Sequence, residues 1–320
     1  MKALTFSEFG SPEVLAYIEM PAPVLKKNEI LLEMKAIGLN FADVYRRKGN
    51  YHLTGQAPFI AGYEGSGIVK DNNNHPGFKI GDRVAFADVP LANAELVAVP
   101  VSHVINLPDQ ISFETAASLL LQGLTAQYLA ADSHTIQPGE TVLIHAAAGG
   151  VGQLLTQICK MKGAIVIGLT TAEDKKSIIL NAGADAVFNL KTDWKKDVLA
   201  FTAGKGVDVV YDSIGSTLND SFEVTRAGGH VVFYGMSGGD PALVDPRMLM
   251  DTSKTLTGGD LWSYLVSKEE RTIRSGQLFD WVINHKLNLK TPVIFKLAEG
   301  KLAHEYLESG KSAGKVLLIP

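Results

Sequence analysis

Residues 145–152 read His145-Ala146-Ala147-Ala148-Gly149-Gly150-Val151-Gly152, and the fold follows from how this stretch is flanked. Thr141–His145 is a short apolar run that reads as a buried strand. Gly152–Met161 reads as a helix ended by Gly163. A tight strand-to-helix turn of this kind suits a diphosphate. Gly149 lets the backbone approach closely, Gly152 lets helix and strand pack tightly, and the helix start offers N–H groups with partial positive charge. Ala147 stands where the usual G-x-G-x-x-G pattern has its first glycine, so the turn gains its force from the surrounding βαβ rhythm. Ala148, Gly149, Gly150, Val151 and Gly152 are the expected nucleotide contacts.

That rhythm extends downstream. Strands are expected at Ile165–Leu169, Ala186–Leu190, Val207–Tyr211 and His230–Tyr234. A helix is expected over Glu173–Asn181, with Thr170 or Thr171 as its N-cap. Upstream the pattern differs. Over Glu29–Ala36, Ile30, Leu32, Met34 and Ala36 alternate with charged residues, and short strands recur at Leu15–Met20, Gly67–Lys70, Arg83–Ala87 and Glu95–Val99. Turn-rich spacing there predicts a compact, partly open barrel. Ser112 reads as the N-cap of a helix running to about Ala131. Near the end, Glu269–His285 reads as an amphipathic helix with Ile273, Leu278, Trp281 and Val282 inward. Lys301–Glu308 is a shorter helix, and Val316–Ile319 is a strand that returns to the first domain.

Composition narrows the function. The chain has 320 residues, 46% hydrophobic and 20% charged, with a net charge of −4. This is globular usage with no basic field for nucleic acid. Cys159 is the only cysteine, which fits a reducing, cytoplasmic setting. No stretch has membrane-spanning length. His52, His75 and His103 stand apart in the barrel half, and Cys159 reads as a small core residue.

The end of the second Rossmann strand speaks to cofactor choice. An NAD site places an acid there for the ribose 2′-hydroxyl. Here Thr170 and Thr171 stand instead, with Lys175 one turn on, which favours a 2′-phosphate and hence NADPH. Glu173 and Asp174 lie nearby and weigh against it; their alternative use is to complement the helix dipole. Asp212-Ser213-Ile214-Gly215 ends the fourth strand on the same edge, which brings Ser213 to the nucleotide.

Six motifs in order carry a family resemblance. They are Gly38-Leu39-Asn40-Phe41-Ala42-Asp43-Val44-Tyr45, Gly62-Tyr63-Glu64-Gly65-Ser66-Gly67, Gly81-Asp82-Arg83-Val84, Gln122-Gly123-Leu124-Thr125-Ala126, the Ala-Ala-Gly-Gly-Val-Gly turn and Gly314-Lys315-Val316-Leu317. The chain resembles the zinc-free quinone oxidoreductase branch of the medium-chain dehydrogenase/reductase superfamily. The resemblance implies an α/β architecture: a GroES-like, partly open β-barrel catalytic domain over residues 1–123 and 260–320, and a Rossmann doubly wound parallel sheet over 124–259. It implies NADPH as cofactor and a homodimer. It also implies that Asn40, Tyr45 and Thr125 serve the nicotinamide side, that Tyr234 lies near the cofactor, and that Lys175 holds the 2′-phosphate. A helping tyrosine is Leu190 here, and an arginine falls at Gly310, with Lys311 beside it as a substitute.

Zinc-dependent relatives need a His at Gly62-Tyr63-Glu64 and, for the structural lobe, four cysteines, and the sequence has neither. Without a Lewis acid the suitable acceptors are quinones and enones, whose charge delocalises after hydride arrives. Asn40 is expected to orient the acceptor or nicotinamide, and Tyr45 to bond the oxyanion or donate a proton. An N-cap role for Asn40, a capping role for Asp43 and packing for Tyr45 are the competing readings. Glu64 and Arg83 read as an ion pair or turn anchors. An enone reductase and a non-catalytic dinucleotide-binding sensor are the alternative functions.

Overall fold

Alternation over Glu29–Ala36, with Ile30, Leu32, Met34 and Ala36 buried, opens the longest strand, Glu29–Leu39, whose last four residues are all buried. The computed structural model describes residues 1–320. It divides into two compact units, Met1–Leu121 with Leu265–Pro320, and Gln122–Tyr264.

In the first unit, a seven-stranded sheet holds Glu29–Leu39 between Val316–Ile319 and Glu64–Asp71. Arg83–Ala87 and Ile105–Asn106 follow on one side, Val293–Lys296 lies on the other, and Leu96–Pro100 also pairs with the long strand. A second sheet of three strands, Ala16–Glu19, Lys2–Phe6 and Phe59–Ile60, completes the open barrel. Ile30, Leu32, Phe86, Val99 and Leu318 share its core. The terminal strand runs antiparallel to the long one with Val316 opposite Leu39. The tail thus returns to the first unit, as the sequence indicates.

In the second unit, six parallel strands lie in the order Ala186–Asn189, Ile165–Thr170, Thr141–Ile144, Val207–Asp212, Thr225–Phe233, Thr255–Gly258. Chain order reverses between Thr141–Ile144 and Val207–Asp212. In open parallel sheets such a switch point, at the carboxyl ends of the strands, is where ligands bind.

Three local expectations are corrected. Ile273 is 67% exposed. The helix Lys268–Ile283 instead buries Arg271, Ser275, Leu278 and Phe279, one face at helical spacing, and Ile273 falls on the far side. The segment Glu173–Asn181 is a 3₁₀ turn, Glu173–Lys175, leading into a helix, Lys176–Asn181. Thr170 does not cap it. Its hydroxyl accepts the Ala172 N–H at 3.3 Å and closes a local turn instead. Ser112 caps as expected, accepting the Thr115 N–H at 3.0 Å. The helix it starts, Phe113–Tyr128, carries the chain from one unit to the other at residues 121/122, and the return lies at 264/265. The sequence places these crossings at 123/124 and 259/260.

Candidate active site

The glycine turn sits at the switch point of the second unit. Gly149 is the N-cap of the helix Gly150–Met161, and it has no side chain to occupy the first N–H groups, which point out of the helix start. A Cβ at Gly152 would stand 2.6 Å from the Ala146 carbonyl oxygen and 2.7 Å from the Ala147 Cα, so helix and strand approach as closely as a glycine allows. Ala147 in place of glycine is accommodated across the sheet. A Cβ at Gly168 would lie 3.0 Å from the Ala147 methyl, so the space one residue takes is yielded by the other.

Asp212 builds the facing loop. Its Oδ1 accepts the Ile214 and Gly215 N–H groups at 2.8 and 3.1 Å. Its Oδ2 accepts the Thr217 and Ser221 hydroxyls at 2.8 and 2.7 Å. Because Ser221 gives its proton to Asp212, the His145 Nε2, 3.0 Å from the same hydroxyl, must be the donor. Burial lowers the His145 pKa, which keeps the ring neutral. This Ser–His–Asp set is wholly buried and orders the loop; it has no access to a substrate. The sequence reading stopped at Asp212 as a strand end, and Ser221, nine residues on, gave no signal of its own.

Register brings Ala148–Gly152, Thr170, Thr171, Lys175, Ser213 and Tyr234 to the carboxyl ends of these strands, on one edge of one sheet. Glu173, one of the two acids that weigh against a 2′-phosphate, is engaged by its neighbours. It is tied down by Lys176 at 2.8 Å and by the Asn189 amide at 2.6 Å. With the bare helix start, the tight glycines and the half-buried Lys175, the residues present fit a dinucleotide carrying an extra phosphate. Thr125 is buried on the Phe113–Tyr128 helix. Lys311 is exposed in the loop before the last strand. It belongs to the first unit, whereas Lys175 belongs to the second.

The first unit carries Asn40 and Tyr45 on and beside the helix Phe41–Lys48, of which Asn40 is the N-cap. Asp43 accepts the Asn40 N–H at 2.9 Å and pairs with Arg46 at 3.3 Å. Burial raises the Asp43 pKa against the pull of Arg46. The Asn40 side chain is engaged elsewhere. Its Nδ2 donates to the Gly38 carbonyl at 3.2 Å and to Glu64 at 3.0 Å, and its Oδ1 accepts from Lys315 at 2.8 Å. Lys315 also pairs with Glu64 at 2.5 Å, with both side chains buried. Tyr45 is half-buried, with its ring near Phe41 and edge-on to Tyr51.

Two neighbouring arginines hold this helix. The Arg46 guanidinium lies 3.3 Å from the centre of the Tyr63 ring, a cation–π contact. Arg47, fully buried, donates to the Gly10 carbonyl and to Glu308, and meets His304 Nδ1 at 3.0 Å. Arginine only donates, so this nitrogen accepts and the imidazole is neutral. Burial and Arg47 push its pKa down to about 3. Arg83 anchors a turn by donating to the Pro108 and Ile111 carbonyls. None of Arg46, Arg47 or Lys315 was singled out from sequence. Lys315 had a signal, the Gly314-Lys315 motif, but nothing local tied it to Asn40.

At Tyr63, where zinc-dependent relatives have their histidine, two cations are already in place. Arg46 covers the ring, and Lys315 neutralises the following Glu64. No three His, Cys, Asp or Glu side chains cluster closely enough to hold a metal ion. Cys159 is buried and its thiol is pushed up to about 12.

Comparison with known proteins identifies the family. The alcohol dehydrogenase GroES-like domain model matches residues 26–138, and the zinc-binding dehydrogenase model matches residues 150–274. Quinone oxidoreductase 1 of Escherichia coli is 37% identical over 324 residues, covering 99% of each chain. A 2-haloacrylate reductase of Burkholderia is 34% identical over 323 residues, covering 97% of this chain and 96% of its own. The crystal structure of the Escherichia coli quinone oxidoreductase complexed with NADPH superposes with a TM-score of 0.94 at 36% identity, over 100% of both chains. By sequence and fold, the chain belongs to the quinone oxidoreductase branch of the medium-chain dehydrogenase/reductase superfamily.

Proposed function

We propose that this protein is an NADPH-dependent quinone reductase that needs no metal. The observation that carries the reading is the glycine turn at the switch point of the parallel sheet, with threonines and a lysine where an NAD site would place an acid. Bound there, NADPH supplies the hydride. Gly149–Gly152 hold the diphosphate through main-chain N–H groups, and the Asp212-ordered loop brings Ser213 and its backbone to the nucleotide. Lys175 and Thr171 take the 2′-phosphate, and Thr125 and Tyr234 serve the nicotinamide end. Asn40 orients its partner as a hydrogen-bond acceptor, since both amide hydrogens are committed to Gly38 and Glu64. Tyr45 hydrogen-bonds the oxygen on which charge develops and donates a proton to it.

The reading extends to assembly and place. An open edge strand, Thr255–Gly258, ends the parallel sheet and supports a homodimer through that sheet, since an unpaired edge invites pairing. One buried cysteine supports a cytoplasmic setting.

The test is NADPH oxidation against a panel of quinones, enones and aldehydes. Fast turnover of a benzoquinone is expected, with simple aldehydes inert. Faster turnover of an enone would favour the second reading, an alkenal or enone reductase, which the similarity to a haloacrylate reductase supports. Tight NADPH binding without any turnover would favour a sensor. Tyr45→Phe is expected to lower kcat by about 10²-fold, and unchanged turnover would remove its proton-donor role. Equal kcat/KM with NADH would overturn the cofactor preference.

A further inference from the structure

Lys315 is an ammonium placed in the interior without an assigned task. Its position follows from sheet register. Val316 lies opposite Leu39, and Gly65 lies opposite Ile37 across the other edge of the same central strand. Lys315, Asn40 and Glu64 therefore meet at one end of three adjacent strands. Gly38 makes the room: a Cβ there would lie 2.7 Å from the Glu64 carboxyl carbon and 2.6 Å from the Ala117 carbonyl oxygen. Through that gap the second Glu64 oxygen reaches the Phe113–Tyr128 helix and accepts the Leu121 N–H at 2.6 Å.

We propose that Lys315 is a positioning residue for the reaction, acting through the side chain of Asn40. This rests on the reading of Asn40 as a group that meets the reactants. A primary amide can turn over and exchange its donor for its acceptor. Lys315 has only donors and the Glu64 carboxylate only acceptors. Paired with each other and each set against one end of the Asn40 amide, they permit one orientation, oxygen toward Lys315 and nitrogen toward Glu64. Burying an ammonium–carboxylate pair is costly relative to apolar packing, so a pair kept here for stability alone would be a poor choice. Fixing the amide is what the pair does that apolar residues could not.

The experiment uses the full-length protein with NADPH and 1,4-benzoquinone. Lys315→Met, Asn40→Ala, the Lys315→Met/Asn40→Ala double variant and a charge-neutral Glu64→Gln/Lys315→Met variant are compared. Readouts are kcat, KM, melting temperature and NADPH affinity by fluorescence. In Lys315→Met, kcat should fall by about 10²-fold, with KM for the quinone within about threefold. The charge-neutral variant removes the uncompensated carboxylate, so its melting temperature should recover while kcat stays low. Losing Asn40 should cost little more once Lys315 is gone, because both act as one unit. Recovery of kcat together with melting temperature would mean a structural role only and overturn the inference. So would additive losses in the Lys315/Asn40 cycle, or full turnover by Asn40→Ala. A wild-type protein inert toward every quinone and enone would instead overturn the functional reading, and this inference with it.

Discussion

In residues 122–264, Asp212 gathers two backbone N–H groups and two hydroxyls from the nine residues that follow it, whereas in the other unit Arg47 reaches His304 across 257 residues of chain. The contrast holds across both candidate sites. The nucleotide edge is shaped by main chain, through bare glycines, a helix start and a neutral histidine. The Asn40–Tyr45 segment is held by buried charges, with Arg46 and Arg47 behind the helix and Glu64 and Lys315 around Asn40. A site of the first kind depends on where a Cβ is forbidden. A site of the second kind depends on whether each buried charge keeps its partner.

The largest expected effect breaks the second kind. Arg47→Met removes the donors that meet the Gly10 carbonyl and His304 and one of the two cations on Glu308, which keeps Lys48 at 2.8 Å. It should cost about 3–5 kcal/mol of stability, read as a shift of the urea midpoint. A loss below about 1 kcal/mol, as an exposed pair would show, would mean that this unit does not depend on its buried charges.

The same contrast governs what could be read from the chain. The glycine turn, the strand–helix alternation and the missing acid after Leu169 are local patterns, and each was legible because its determinants are adjacent in sequence. The clamp on Asn40 was not. Lys315 and Glu64 lie 251 residues apart, and only strand register brings them together, which no window of sequence contains. Ile273 misled for a related reason. It is an apolar residue at a plausible spacing, but the buried face of its helix is set by Arg271, whose partner Asp88 lies 183 residues away. Nor did the sequence show that Lys176 and Asn189 engage Glu173, one of the two acids that count against a 2′-phosphate.

Gly152→Ala strikes the first kind. The added methyl would sit 2.6 Å from a backbone oxygen and 2.7 Å from a Cα, and neither can rotate away. We expect a loss of about 2 kcal/mol and, because the helix start moves, NADPH affinity weakened by about tenfold. Isothermal titration beside a urea melt checks both, and full affinity would show that the turn tolerates displacement.

Titration sharpens the comparison. In the second unit, burial lowers His145. Asp212 is also lowered: burial opposes this, but His145 and the hydrogen bonds from Ser221, Gly215 and Thr217 prevail. Both contributions are present at neutral pH and lost on acidification. In the first unit, burial against Arg271 takes Asp88 from 3.8 up to about 6, while burial and Arg271 take His103 from 6.5 down to about 4. Asp88 gains a proton on folding, so its contribution is full below 3.8 and is lost as pH rises through about 6. The His103 contribution is full above 6.5 and is lost as pH falls through about 4. The two offset. Asp88→Asn removes one side, so between pH 6.5 and 4.5 the variant should lose more stability than the wild type. Parallel urea midpoints would show that the pair is not balanced in this way.

The smallest effect uses the same chemical change with the opposite sign. Gly276 lies inside the Lys268–Ile283 helix, exposed, and a Cβ there meets nothing within 4 Å. Alanine costs less chain entropy than glycine in a helix interior and adds no clash, so Gly276→Ala should stabilise by about 1 kcal/mol. Set beside Gly152→Ala, it separates two reasons for a glycine in a helix. At residue 276 the backbone has no need of one, whereas at residue 152 the backbone of the turn at Ala146 and Ala147 occupies the space a side chain would take. If both variants lost stability equally, the close approach at Gly152 would not be what holds the turn, and the difference between the units would have to lie elsewhere than in the main chain.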